Sequence, residues 1–282
     1  MLASDLKEPD LSSCSSRPLG DTITTEHTSI GGVRINAMDF QGVVRSIIAQ
    51  VDEARPNTYV VTPNAHHIVL LQSDDRFRTI YEQAHLVVPD GVPLLWAARI
   101  LGQKLFGRVN GTDLFEMLCE EAANRGLRIF LLGGREGAAD AAAAILKKRY
   151  AALTICGTYC PRVGFEFDAE ENSKIVRTIN DARVDLLFVG LGAPKQEYWM
   201  FDNRDLLDVR VSLGIGVSFE FIAGIVKRAP RWMQVAGLEW LYRLFSEPKR
   251  LWKRYTIVNG KFCMIIAREF IDRLTSRRIR TL

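Results

Sequence analysis

A carboxylate serves as a base only where it is shielded from water and close to a proton it can take. In this 282-residue chain the segment VPDGVP (88–93) offers one. Asp90 follows a short apolar run and shares a turn with Pro89, Gly91 and Pro93. Burial there would raise its pKa and suit it to general-base work. The plainer reading is an Asp that bonds its own turn. TPNAHH (62–67) supplies Thr62 and Asn64, which can orient a hydroxyl or a carbonyl. His66 and His67 follow without a third ligand at a metal spacing, so histidines on a helix face or in the core are expected. RVNGTD (108–113) brings Arg108, able to pair with a phosphate, and Asn110 beside it. Asp113 is expected to cap the next helix. FLLGGREG (130–137) places Gly133, Gly134 and Gly137 between a strand and a helix. Their N–H groups either approach a diphosphate or make an ordinary tight turn. The spacing is neither the dinucleotide fingerprint nor the P-loop. GLGAPKQE (190–197) contributes Lys195, Gln196 and Glu197. Gln196 can read a sugar hydroxyl or a base edge, while Glu197 near a helix start is favoured by the dipole alone.

The elements that must position these side chains alternate. Apolar strand-like runs (TYVV, LVV, RIFLL, LTICGTY, VDLLFVG, VRVSLG) are separated by amphipathic helical stretches. That rhythm predicts βαβ units and an α/β fold, a Rossmann-like, mostly parallel sheet with helices on both faces. In such sheets ligands bind beyond the carboxyl ends of the strands, where TPNAHH, PDGVP, GGREG, GLGAPKQE and GIGVSFEF fall. Apolar residues at 48% allow a full core. Five widely spread cysteines argue for a reducing compartment rather than a disulfide framework. No apolar run approaches the roughly 18 residues of a membrane span.

Composition divides the chain into a polar, flexible start (1–24), an α/β catalytic domain (25–226) and a C-terminal helical appendage (227–282). The formal net charge of +4 conceals an asymmetry. The appendage holds fourteen Lys/Arg against four acids, a net +10 over an acidic body of −6. It is also aromatic, with Trp232, Trp240 and Trp252 among its rings. Cations beside such rings suit the interface of an anionic membrane. An ordinary helical layer with a solvated basic face is the bland reading, and nucleic-acid binding a third.

Taken together, TPNAHH, VPDGVP, RVNGTDLF, FLLGG and VGLGAPKQE stand in an order and spacing that closely resemble the WecG/TagA/CpsF family of bacterial glycosyltransferases. GIGVSFEFIAG (214–224) and RAPRWMQVAGLEWLYRL (228–244) extend the resemblance, which covers about residues 30–260. It implies inverting transfer of a hexose-type sugar, glucose or N-acetylmannosamine-like, from a UDP-sugar. The implied acceptor is a sugar on undecaprenyl diphosphate at the cytoplasmic face of the inner membrane, with the enzyme peripheral. The chain looks nearest to the exopolysaccharide, xanthan-type branch of second-sugar glucosyltransferases. By motif, Asp90 looks like the catalytic base and Thr62 like its positioning neighbour, with Asn64 beside it. Arg108 looks like a diphosphate contact and Gln196 like a donor-site residue. Arg228, Arg231 and Arg243 are the appendage's candidates for closing the site. The resemblance further implies no nucleic-acid partner and leaves homo-oligomers open. Glu220 stands where an Asp is expected, so it is kept out of the catalytic set. The chain has no Asp-x-Asp pair, so no metal or other cofactor is expected. The leaving diphosphate would then rely on arginines and backbone N–H groups. The alternative is a non-catalytic nucleotide-binding subunit of the polysaccharide machinery. A nicotinamide oxidoreductase lacks its fingerprint here.

Overall fold

A computed structural model describes residues 26–53, 57–235, 237–246 and 248–280. The start, residues 1–24, lies outside them. An antiparallel hairpin comes first, β1 (His27–Ile30) and β2 (Val33–Asn36). Asp39 caps α1 (Phe40–Asp52) by accepting from the Gly42 N–H at 2.6 Å. Next come β3 (Thr58–Val61), α2 (Ala65–Leu70), α3 (Asp75–Glu82), β4 (Leu86–Val87) and α4 (Val92–Ile100). The middle of the chain forms α5 (Gly111–Arg125), β5 (Arg128–Gly133), α6 (Ala138–Arg149), β6 (Thr154–Tyr159) and α7 (Ala169–Asp181). β7 (Leu186–Gly190), α8 (Lys195–Asn203), β8 (Val211–Gly214) and the short α9 (Ser218–Ile222) complete the body. The appendage is helical: α10 (Arg231–Val235), α11 (Glu239–Ser246) and α12 (Pro248–Arg280).

Among the described residues six strands form one sheet in the order β4-β3-β8-β7-β5-β6, and every pairing in it is parallel. The two-residue period of a strand sorts its side chains into two layers. On β5, Ile129 and Leu131 join the layer packed by α1, α5 and α6, while Phe130 and Leu132 face the opposite one, packed by α2, α3, α7 and α8. Leu186 and Phe188 of β7 divide from Leu187 and Val189 in the same way. Both faces are covered, so these strands read as continuous apolar runs rather than as alternating ones. Because all six run the same way, their carboxyl ends emerge along a single edge.

The appendage is joined to this body. Phe262 and Ile266 of α12 are buried in the layer that holds Ile68 of α2 and Leu71 just after it. Glu269 accepts from the Gly31 N–H at 2.6 Å, and Arg273 donates to the carbonyls of Leu101 (3.1 Å) and Ser29 (3.0 Å). A change of composition near residue 227 is therefore not a boundary between cores. No helix among the described residues is long and apolar enough to cross a membrane. Phe262→Ala should cost about 3–5 kcal/mol by emptying a core position. Urea unfolding of the full chain measures this, and a loss under about 1 kcal/mol would mean that α12 is only loosely attached.

Candidate active site

The turn carrying Asp90 is tied on both sides. The Asp90 N–H donates to the Pro63 carbonyl (2.8 Å) at the exit of β3, and the Val109 N–H donates to the Pro89 carbonyl (2.8 Å). Among the described residues no hydrogen bond from its own turn reaches the Asp90 carboxylate, so the Asp is not spent on turn formation. Atoms crowd around it, yet it keeps some access to solvent, as a group in a recess does. Burial pushes its pKa up to about 6. Arg108 opposes that shift, Glu239 adds to it, His67 opposes it and Asp113 adds to it. The recess thus draws charges from α2, α5, α11 and the segment before α5.

Behind the recess runs a buried polar chain. The Asn64 side chain caps α2 by accepting from the His66 N–H (3.0 Å), and the Asn64 N–H donates to His67 Nδ1 (3.1 Å). In a neutral imidazole this leaves the proton on Nε2, which faces Glu197 Oε1 at 3.6 Å. Gln196 Nε2 donates to the same oxygen (2.9 Å), and the Gly216 N–H donates to Gln196 Oε1 (3.0 Å). Thr62 Oγ1 donates to the Gly214 carbonyl at 3.4 Å. Together these bonds lock the ends of β3 and β8 to α2 and α8. His67 is a core histidine, as expected, and Thr62 and Asn64 stand at the strand end beside Asp90's turn.

Three expectations need correction. Gln196 was expected to touch the donor, but it is 4% exposed. Both ends of its amide are engaged inside the protein, so it braces the strand ends. The Gly133–Gly134 turn was expected to offer free N–H groups to a diphosphate. The Gly134 N–H instead donates to the Gly190 carbonyl (2.9 Å), and the neighbouring Arg135 N–H donates to Glu220 Oε1 (3.0 Å). Gly133 is glycine because its φ is +102° and a Cβ would lie 2.8 Å from the Gly190 carbonyl carbon. Its role is the close approach of β5 to β7. Asp113 was expected to cap α5. The cap is Asn110, whose Oδ1 accepts from the N–H groups of Thr112 (3.0 Å) and Asp113 (3.3 Å). Asp113 in the first turn is left free to pair with an arginine.

That arginine is Arg228. Its Nη1 lies 2.6 Å from Asp113 Oδ1, and its Nη2 donates to Asn110 Oδ1 at 3.0 Å. Arg108 Nη1 donates to Glu239 Oε2 at 3.4 Å. The structure thus links Arg108 and Arg228 through Glu239 and ties Arg228 to Asn110 and Asp113, while Arg108 is the group whose charge most favours ionised Asp90. Arg231 is exposed at the start of α10, away from any such pairing. Arg243 lies on α11, and its side chain is outside the described set. Sequence reasoning missed Glu239 and the His67–Glu197 pair. The sparse acids of a basic appendage were the only signal for Glu239. Among the described residues no three His, Cys, Asp or Glu side chains converge as a metal cluster.

The raised Asp90 pKa carries a stability consequence. The unfolded carboxyl titrates near 3.8 and the folded one near 6. The folded state therefore holds the proton more tightly, and stability falls as pH rises through that window. Discounted for partial exposure, the ionised group costs about 1 kcal/mol, or about 2–4 °C in Tm. Asp90→Asn should melt higher than wild type by that amount at pH 7.5, and the gain should vanish near pH 4. Melting curves at the two pH values check it; an equal difference at both would show that the carboxylate is not strained by burial.

The sequence signature of the glycosyl transferase WecG/TagA/CpsF family matches residues 28–276. The chain is also similar to the N-acetylglucosaminyldiphosphoundecaprenol N-acetyl-beta-D-mannosaminyltransferase of Bacillus subtilis (strain 168). The two are 31% identical over 196 residues, 70% of this chain and 73% of that protein. The protein of the same name from Bacillus spizizenii (strain W23) is 28% identical over 225 residues, 78% of this chain and 85% of that one. A third, from Staphylococcus aureus (strain MRSA252), is 29% identical over 200 residues, 71% and 76% of the two chains. The signature spans the Asp90 turn, both arginines and most of α12, and on that basis the chain is a glycosyltransferase belonging to the WecG/TagA/CpsF family.

Proposed function

We propose that this glycosyltransferase moves a hexose-type sugar from a UDP-sugar to a sugar carried on a polyprenyl diphosphate, with inversion at the anomeric carbon. The observation that carries the reading is Asp90: a half-buried carboxylate with a raised pKa at the carboxyl edge of the sheet, with Arg108 acting on it and Glu239 joining Arg108 to Arg228. The names of the relatives, which specify an N-acetylglucosaminyl-diphosphoundecaprenol acceptor and a mannosaminyl group, support the acceptor class and the sugar type.

Asp90, ionised above pH 6, accepts the proton of the acceptor hydroxyl as that oxygen attacks the anomeric carbon. The bond from that carbon to the UDP oxygen breaks on the opposite face, and UDP leaves with the electron pair. Arg108 and Arg228 take up the charge that grows on the diphosphate. On this reading the chemistry needs no divalent metal. Asp90→Asn should lower turnover by about 10²–10⁴-fold while UDP binding stays near wild type. In the wild type, kcat/KM should rise with pH through about 6, where Asp90 loses its proton. A UDP-release assay with a lipid-diphosphate monosaccharide checks both, run over UDP-glucose and UDP-N-acetylmannosamine, with and without chelator. Unchanged turnover in Asp90→Asn would remove Asp90 from the mechanism, and activity lost to chelator would restore a metal to it.

The acceptor class requires work at a membrane surface, at the cytoplasmic face of the inner membrane. Trp232, Phe245 and Trp252 are exposed at 66%, 76% and 51% on the basic appendage. Rings of this kind settle at headgroup level while neighbouring cations meet anionic lipid. Co-sedimentation should be strong with vesicles containing phosphatidylglycerol and weak with phosphatidylcholine alone. Replacing the three rings by alanine should reduce it at least tenfold without changing the melting temperature. Equal binding by the variant would place the contact elsewhere.

A further inference from the structure

Glu239 opens α11 and belongs to the appendage, yet it stands among the charges of the body's recess. Its two carboxylate oxygens divide between two arginines. Oε2 lies 3.4 Å from Arg108 Nη1, and Oε1 lies 3.5 Å from Arg228 Nε. All three side chains are sheltered, at 13% exposure for Glu239, 18% for Arg108 and 20% for Arg228. Two guanidinium groups this close repel unless a negative charge lies between them. Glu239 supplies it from one side, and Asp113 holds Arg228 from the other at 2.6 Å. The bridging contacts are longer than the 2.7–2.9 Å of a tight charge-assisted bond. Arg228 Nε is buried and has no hydrogen-bond partner among the described residues. Glu239 therefore sets the position of the guanidinium groups without saturating their donors.

The backbone fixes this placement. Gly237, two residues before Glu239, has φ +73°, and a Cβ on it would lie 2.4 Å from Val92 Cγ2. Val92 begins α4, two residues after Asp90. The chain leading into α11 thus runs against the Asp90 turn at a distance only glycine permits. The start of α11 also favours a carboxylate through the helix dipole.

We propose that Glu239 is a positioning residue that holds Arg108 and Arg228 as a pair at the rim of the Asp90 recess, facing the leaving diphosphate, and so makes the appendage part of the active site. The inference rests on Asp90 and the two arginines being the machinery of transfer. Glu239 acts in two ways. It keeps the donors of two arginines convergent, and its charge opposes ionisation of Asp90, which keeps that base strong. The other titratable groups that face Asp90 are Arg108, which favours its ionised form, His67, which does so only when protonated, and Asp113, which disfavours it.

Glu239→Gln in the full chain tests this, because it keeps the size of the side chain and removes its charge. UDP, measured by calorimetry, should bind roughly tenfold more weakly, the loss expected from disordering a charged hydrogen-bond pair. The acid limb of kcat/KM should move below its wild-type position near 6 by roughly half a unit, since one anion no longer opposes Asp90. Glu239→Asp should restore the limb and part of the affinity, and a thermal melt confirms that the variants fold. A purely structural role would leave the acid limb in place. Tighter UDP binding in Glu239→Gln would show that Glu239 occupies the diphosphate's place, and would overturn the proposal. Wild-type affinity together with an unmoved limb would overturn it as well. If wild-type enzyme itself fails to bind UDP, the transferase reading falls and takes this inference with it.

Discussion

A carboxylate withdrawn from water is costly, and much of this molecule is arranged around one such group. Burial raises the Asp90 pKa to about 6, and its neighbours shift that value in both directions. Arg108 and His67 favour the charge, Glu239 and Asp113 oppose it, and burial outweighs them all. The balance leaves a carboxylate whose pKa stands at about 6, the property on which the proposed general-base role rests. Each contributor arrives on a different element, so the balance exists only when α2, the segment before α5, α5 itself and α11 are all in place.

The parallel sheet makes that convergence possible. With all six strands running one way, the chain leaves the sheet at one edge, where short loops can meet. The loops are then held by bonds that cross elements. Asp90 hangs between Pro63 and Val109 by backbone bonds. The buried chain from Asn64 through His67, Glu197 and Gln196 to Gly216 keeps the floor beneath it rigid. The chain of bonds leaves His67 Nε2 and Glu197 Oε2 buried without a hydrogen-bond partner among the described residues, and the 3.6 Å approach of that nitrogen to Glu197 Oε1 joins the two side chains.

The appendage is opposite in charge to the body and fastened to it by two kinds of force. α12 contributes Phe262 and Ile266 to the core, while Arg228 and Glu239 interlock with Asp113 and Arg108. The same segment leaves large rings exposed on its outer surface. The rings that α12 buries in the core and those it leaves exposed thus lie on different faces of one segment.

Much of this was legible in the residue order. Alternating apolar runs and amphipathic stretches are local signals, so the α/β class, the cap at Asp39 and the gathering of polar loops at one edge follow from neighbours in the chain, whereas the cap at Asn64 went unread. So does the suspicion that falls on Asp90, from an acid in a Pro- and Gly-bounded turn after a strand. What the chain order left undecided were partnerships over long separations. Gln196 and the Gly133–Gly134 turn have the composition of ligand contacts, yet strand ends packed against one another consume their hydrogen bonds. Asn110 rather than Asp113 caps α5 because the cap must stand just before the first turn, and Asp113 is then available to Arg228, 115 residues away. Glu239 carries no motif at all. Its importance comes from Gly237 passing against Val92, a contact that only the folded chain creates. Sequence determines which elements form, because that is governed by propensity and periodicity within a few residues. Tertiary structure decides which charges face one another, because electrostatic pairing depends on distance in space and takes no account of distance along the chain.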